Sequence, residues 1–163
     1  MNKPLTLIIF GATGDLYQNK ISVALLDLFS EGLLPLDFTI VAFARKEFTD
    51  EEFRTFTKES LLKKKNGHSP KEIELFLEHF KYVQGNLNNL EDFKTLNKKL
   101  ATEDEARGVC ANKLFYLAVP PTLYGTIFEN IAGAGLASPC VHEDANKNTW
   151  IRVLVEKTKL LID

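Results

Sequence analysis

A nearly continuous apolar run, made by Leu5 and residues 7–10, is followed at once by Gly11 and Gly14, and a helical pattern begins near Asp15. A run that is apolar on both faces is typical of a strand buried in a parallel sheet. Where such a strand turns through glycines into a helix, backbone N–H groups and the positive end of the helix dipole converge on an anion. Because glycine has no Cβ to block a close approach, the turn predicts a pyrophosphate site for a dinucleotide, most simply a nicotinamide cofactor.

The glycine spacing alone leaves a second interpretation open. It is G-x-x-G rather than G-x-G-x-x-G, and Tyr17 stands where a small residue usually lets the helix pack against the strand. A tight turn without a ligand would show the same two glycines. A P-loop is excluded, because Lys20 lies six positions after Gly14 and is followed by Ile21 rather than Ser or Thr.

The end of the second predicted strand bears on the choice of cofactor. The strand covers residues 38–43 and runs into Ala44, Arg45 and Lys46. In a βαβ unit an acidic residue here holds the ribose 2′-hydroxyl of NAD, whereas a basic residue accommodates the 2′-phosphate of NADP. The two cations therefore favour NADP; the alternatives are that they are ordinary surface charges, and that the nearby Glu47 favours NAD.

Strands and helices alternate along the whole sequence, which predicts an α/β fold with a Rossmann-like doubly wound parallel sheet. The predicted strands are residues 5–10, 38–43, 80–84, 114–119 and 150–156, and the predicted helices are residues 15–30, one after a capping box at Thr49, one from Pro70, 90–100 and 121–132. Residues 101–108 and 133–147 are predicted to be loops. Ligands of such sheets bind at the carboxyl ends of the strands, where Gly11, Arg45, Pro120 and Lys157 are all expected to lie.

Composition narrows the class of protein. A length of 163 residues with 45% hydrophobic content suits one domain with a sizeable core. The net charge of −2 gives no basic field for nucleic acid, and no apolar run has the length of a membrane span. Cys110 and Cys140 lie far apart in sequence and form no C-x-x-C motif. We therefore expect two independent thiols, a cytoplasmic location, and neither a nucleic acid nor a membrane as partner.

Several motifs occur in an order that resembles one family. Residues 10–16 with Lys20 resemble F-G-A-S/T-G-D-L-A-x-x-K, residues 115–121 resemble F-Y-L-A-x-P-P, and residues 155–157 resemble the start of V-E-K-P-F-G. Residues 32–35, 44–45 and 50–54 are similar too. The chain from residue 7 to residue 157 thus resembles the N-terminal coenzyme domain of the glucose-6-phosphate dehydrogenase family, with Tyr17 and Thr158 replacing the Ala and Pro of the motifs.

The resemblance implies roles for individual residues. The coenzyme pyrophosphate would be lined by Gly11, Ala12, Thr13, Gly14, Asp15 and Leu16. Arg45 would hold the 2′-phosphate of NADP, and Pro120 would lie under the nicotinamide. Lys20 would lie near the cofactor and the sugar phosphate. Lys157 would contribute to the cofactor site and hydrogen-bond glucose 6-phosphate, for which a cation is chemically suited.

The family oxidises glucose 6-phosphate to 6-phosphogluconolactone with reduction of NADP, at the entry to the pentose phosphate pathway. Its catalytic His–Asp pair lies in R-I-D-H-Y-L-G-K, and none of the three histidines here stands in that motif. We therefore expect residues 1–163 to be the NADP-binding domain without catalytic or metal-binding residues, and the domain for substrate binding and dimerisation to be absent.

Two alternatives accompany that expectation. The chain is either part of a dehydrogenase, such as one half of a two-chain enzyme, or a non-catalytic NADP-binding module. Its expected protein partner is a complementing chain or a second copy in a homo-oligomer. A short-chain reductase is disfavoured, because no tyrosine is followed by lysine at the spacing Tyr-x-x-x-Lys.

Overall fold

The structure, a computed structural model, describes residues 3–138, 140 and 149–156. Within these described residues, five strands form one sheet in which every pairing is parallel. The strands are β1 (Leu5–Phe10), β2 (Phe38–Ala44), β3 (Phe80–Gln84), β4 (Asn112–Leu117) and β5 (Ile151–Val155). Their spatial order is β3-β2-β1-β4-β5. The chain winds outward from β1 in both directions, which confirms the predicted doubly wound α/β fold.

Helices connect the strands and cover the two faces of the sheet. They are a π-helical turn (Tyr17–Ile21) that continues into α1 (Ser22–Ser30), then α2 (Asp50–Leu62), α3 (Pro70–Leu77), α4 (Leu90–Arg107) and α5 (Tyr124–Gly133). A short 3₁₀ turn, Pro121–Leu123, precedes α5. Thr49 and Ser69 form capping boxes that fix the starts of α2 and α3, and Pro70 is the first residue of α3.

The core consists of two apolar layers, one on each face of the sheet. Alternate side chains of β1 point to opposite faces, so Ile9 packs with the layer under α1, α2 and α3, and Ile8 packs with the layer under α4 and α5. All but the first residue of β1 are buried, as its nearly continuous apolar run predicts. No helix of the described residues is long and apolar enough to cross a membrane.

The prediction that residues 101–108 form a loop is wrong. The fourth helix runs on to Arg107 and ends at Gly108 in the left-handed conformation. The last turns of α4 are polar, but Asp104 is buried and accepts hydrogen bonds from the Lys113 ammonium at 2.8 Å and the Ala111 N–H at 3.1 Å. These contacts to the start of β4 anchor a polar helical segment that looks like a loop in the sequence.

The expectation of two independent thiols is also wrong. Cys110 and Cys140 form a disulfide with their Cα atoms 6.1 Å apart. The segments carrying them follow α4 and α5, which pack on the same face of the sheet, so residues 30 positions apart in sequence meet.

Candidate nucleotide-binding cleft

The carboxyl ends of three neighbouring strands bring the predicted site residues together. The glycine turn follows β1, Arg45 follows β2, and Pro120 lies beyond the end of β4. Because β2, β1 and β4 are adjacent in that order, Arg45, the glycine turn and Pro120 succeed one another across this edge of the sheet. Neighbouring strands lie about 4.8 Å apart, so the row suits an extended ligand.

The turn after β1 depends on Gly11. Its φ is +81°, and an added Cβ would lie 2.6 Å from the Ala118 carbonyl oxygen and 2.7 Å from a Val119 methyl carbon. Any larger residue would therefore push β1 away from the segment that follows β4. The Gly14 N–H donates to the Gly11 carbonyl at 3.0 Å and closes the turn. The Gln18 side-chain amide donates to the Thr13 carbonyl at 3.0 Å and ties the turn to the helix.

A cleft of about 370 Å³ opens beside this turn. It is lined by Gly11, Thr13, Gly14, Arg45 and Pro120 among the predicted site residues. A helix starts at Asp15, directly after the turn, and the first N–H groups of a helix have no partner within it. A glycine turn and one guanidinium thus line the cleft, and a helix begins directly after the turn; together they form a donor set that fits phosphate groups.

The other predicted site residues do not line this cleft. Ala12 is fully buried, and Leu16 packs against the core. Asp15 and Lys20 are exposed near the start of the first helix. Lys157 lies outside the described residues. The roles of these five residues, like those of the residues that line the cleft, stay predictions from the family resemblance.

Tyr17 points away from the cleft into the protein. Its side chain is fully buried, its hydroxyl lies 2.9 Å from the Thr57 hydroxyl of α2, and its ring lies 5.8 Å from that of Phe53. Burial strongly raises the pKa of the Tyr17 hydroxyl, which thus remains a neutral hydrogen-bonding group. The ring replacing a small residue is accommodated between the first helical turn and α2.

Arg45 and Lys46 face different surroundings. Arg45 lines the cleft and also an adjoining cavity with Gln84, Asn86 and Asp92. The Lys46 ammonium instead lies 4.6 Å from the ring centre of Phe48 on the outer side. From the sequence, both Arg45 and Lys46 are candidates to bind a 2′-phosphate. Of these two cations, only Arg45 lines the cleft.

Sequence reasoning missed one wall of the cleft, formed by Asn86, Leu87 and Asn88. These residues follow β3, whose carboxyl end lies beside that of β2. The Asn86 N–H donates to the Asp92 carboxylate at 2.7 Å, and the Asn88 N–H donates to the Asn86 side-chain oxygen at 3.0 Å, so the wall has a defined shape. The rule that ligands bind at strand carboxyl ends could have found it.

The fold and the cleft together define a nucleotide-binding domain of the doubly wound α/β class. A family model described as "Glucose-6-phosphate dehydrogenase, NAD binding domain" matches residues 8–158. The chain therefore belongs to the glucose-6-phosphate dehydrogenase family and contains its NAD(P)-binding domain.

Individual relatives agree with that assignment. The chain is 36% identical over 158 residues to glucose-6-phosphate 1-dehydrogenase 1, chloroplastic, of Arabidopsis thaliana, covering 94% of this chain and 25% of the relative. It is 32% identical to glucose-6-phosphate 1-dehydrogenase 2 of Mycobacterium bovis, covering 94% and 29%. A solved glucose-6-phosphate dehydrogenase in complex with its substrate glucose-6-phosphate superposes with a TM-score of 0.76 at 28% identity, covering 96% and 31%. The chain thus spans about a quarter to a third of the length of these relatives.

Proposed function

We propose that this chain is the NADP-binding part of a glucose-6-phosphate dehydrogenase. The observation that carries the proposal is the row of Arg45, the glycine turn and Pro120 across three strand ends, beside one cleft. In this arrangement the 2′-phosphate of the adenosine ribose would lie at Arg45, the pyrophosphate at the turn after Gly11, and the nicotinamide near Pro120.

The proposed reaction is the family's: oxidation of glucose 6-phosphate at C1, at the entry to the pentose phosphate pathway. Bound NADP would supply the hydride acceptor. The residues of this chain would bind and orient the nucleotide, and Lys20 and Lys157 would meet the phosphorylated sugar. Removal of the C1 hydroxyl proton needs a general base, which the family provides from a histidine motif not found in residues 1–163. A complementing chain that carries this motif would complete the site. The assembly, in which this chain could also form a homo-oligomer, would act in the cytoplasm.

Calorimetric titration of the 163-residue chain with NADP, and with NAD in parallel, tests the cofactor assignment. We expect NADP to bind at least ten times more tightly than NAD, since a hydrogen-bonded charge pair contributes roughly 1.5–3 kcal/mol. Arg45→Ala should bring the two affinities within about twofold of each other. Lys46→Ala, which removes the neighbouring cation outside the cleft, is the matched control and should leave the ratio unchanged.

The outcomes separate the candidate functions. Binding of neither nucleotide would contradict the whole proposal, and an unchanged ratio in Arg45→Ala would contradict the NADP assignment. NADPH formation from glucose 6-phosphate should require the part of the enzyme that carries the general base. NADP binding without turnover, even when that part is added, would favour a non-catalytic NADP-binding module.

A further inference from the structure

The segment that carries Arg45 is held by the neighbouring strand β3. Three consecutive carbonyls, those of Ala44, Arg45 and Lys46, accept hydrogen bonds from residues at the end of β3. The first of these bonds, from the Gly85 N–H to the Ala44 carbonyl at 2.9 Å, continues the ladder between the strands. The other two use side chains, where a sheet normally uses backbone groups.

Tyr82 provides one of these side-chain bonds. Its hydroxyl lies 2.5 Å from the Lys46 carbonyl oxygen and 3.1 Å from that of Ala44. One hydroxyl has a single proton to donate, and the Ala44 carbonyl already accepts from Gly85, so the proton serves mainly Lys46. Burial raises the pKa of Tyr82 to about 12, and the hydroxyl therefore remains a donor at neutral pH. The ring is fixed by stacking on Phe53 at 4.9 Å.

Gln84 provides the other bond. Its side-chain amide donates to the Arg45 carbonyl at 3.2 Å, and the residue is exposed. Gln84 also lines the small cavity that adjoins the cleft at Arg45. Tyr82 and Gln84 thus hold the backbone immediately after Arg45 and at Arg45 itself. An exposed arginine loses side-chain conformational entropy when it binds a phosphate. Because the backbone at Arg45 is already fixed, binding adds little loss of backbone entropy.

We propose that Tyr82 and Gln84 are positioning residues that set the selectivity of this site for a 2′-phosphorylated nucleotide, by holding Arg45 at the cleft. The proposal rests on the proposed function, because it assumes that Arg45 binds the 2′-phosphate. Neither side chain needs to touch the nucleotide. Their removal should therefore weaken binding of NADP and leave binding of NAD, which has no 2′-phosphate, almost unchanged.

Calorimetric titration of Tyr82→Phe and Gln84→Ala with NADP and NAD tests this inference. The loss of one hydrogen bond predicts NADP binding weaker by about fivefold in Tyr82→Phe and by about twofold in Gln84→Ala, with NAD affected less than twofold. In the Arg45→Ala background the same substitutions should no longer change the ratio of the two affinities. Gln84 is exposed, so Gln84→Ala provides the test even where Tyr82→Phe fails to fold.

Equal weakening of both nucleotides would show a merely structural role and overturn the inference, as would unchanged NADP binding in both variants. If Arg45→Ala changes the ratio and the β3 variants do not, the positioning role fails while the NADP assignment stands. If Arg45→Ala itself leaves the ratio unchanged, the NADP assignment fails and the positioning role falls with it.

Discussion

At the scale of single residues, the geometry of the cleft requires glycine at position 11. Its positive φ and the 2.6 Å approach of the Ala118 carbonyl to an added Cβ both exclude a side chain. Gly11→Ala should therefore lower the free energy of unfolding by more than about 2 kcal/mol, from backbone strain and a clash with a carbonyl. Urea denaturation followed by circular dichroism measures this loss.

Gly32 offers a matched control for this prediction. It also has a positive φ, +68°, but an added Cβ would meet nothing within 4 Å. Gly32→Ala should therefore cost only the strain, about 1 kcal/mol. Equal losses in the two variants would show that the close approach at the end of β1 contributes nothing, and the argument for Gly11 would be wrong.

At the scale of elements, α2 protects the edge of the sheet formed by β3. Its residues Asp50 and Arg54 cover the outer edge of β3: the Asp50 carboxylate accepts from the Tyr82 N–H at 2.7 Å, and the Arg54 guanidinium donates to the Phe80 carbonyl at 2.7 and 3.1 Å. These groups would otherwise be free to pair with another strand. Residues 50–54, which also resemble a segment of the family, thus have a structural role at the sheet edge next to the cleft.

The capping boxes of α2 and α3 predict a dependence of stability on pH. Hydrogen bonds from the Thr49 N–H to Glu52, and from the Ser69 N–H to Glu72, lower the pKa of each carboxyl below its ordinary value of 4.5. A carboxyl with a lowered folded-state pKa stabilises the fold above its unfolded-state value, and this stabilisation is lost as the pH falls through the folded-state value. The chain with both Glu52→Gln and Glu72→Gln should therefore melt at a lower temperature than wild type at pH 7.

The difference in melting temperature should shrink as the pH falls below about 4.5, because the carboxyls of the wild type become protonated. Glutamine still occupies the capping position, so the variant isolates the charge. Glu51→Gln removes a neighbouring carboxylate that is not part of a capping box and serves as the control. A difference between the double variant and wild type that stays constant from pH 7 to pH 3 would contradict the assignment.

At the scale of the whole molecule, the sequence predicted most of the fold because the decisive signals are local. The apolar run before Gly11, the capping box at Thr49 and Pro70 at the first position of α3 each fix one element from a few neighbouring residues. The end of α4 and the wall at Asn86 escaped prediction because both depend on contacts between separate elements, which no helix or strand pattern shows. The buried Asp104 anchors the polar end of α4 through Lys113 of β4, nine residues further on, and Asn86 joins the cleft because β3 lies beside β2.

The disulfide between Cys110 and Cys140 links two segments that lie 30 residues apart in sequence. It closes a segment of 30 residues that contains β4, Pro120 and α5, and such a closure stabilises the fold by about 2–4 kcal/mol, largely by restricting the unfolded chain. Chain purified without reductant should therefore show no titratable thiol until it is reduced. Urea denaturation with and without dithiothreitol should give a lower free energy of unfolding after reduction. The free energy of unfolding of Cys140→Ser should be the same with and without dithiothreitol. Two free thiols in the unreduced native chain, or a free energy of unfolding that reductant does not change, would contradict this pairing. The two cysteines would then be the independent thiols that their sequence positions suggest.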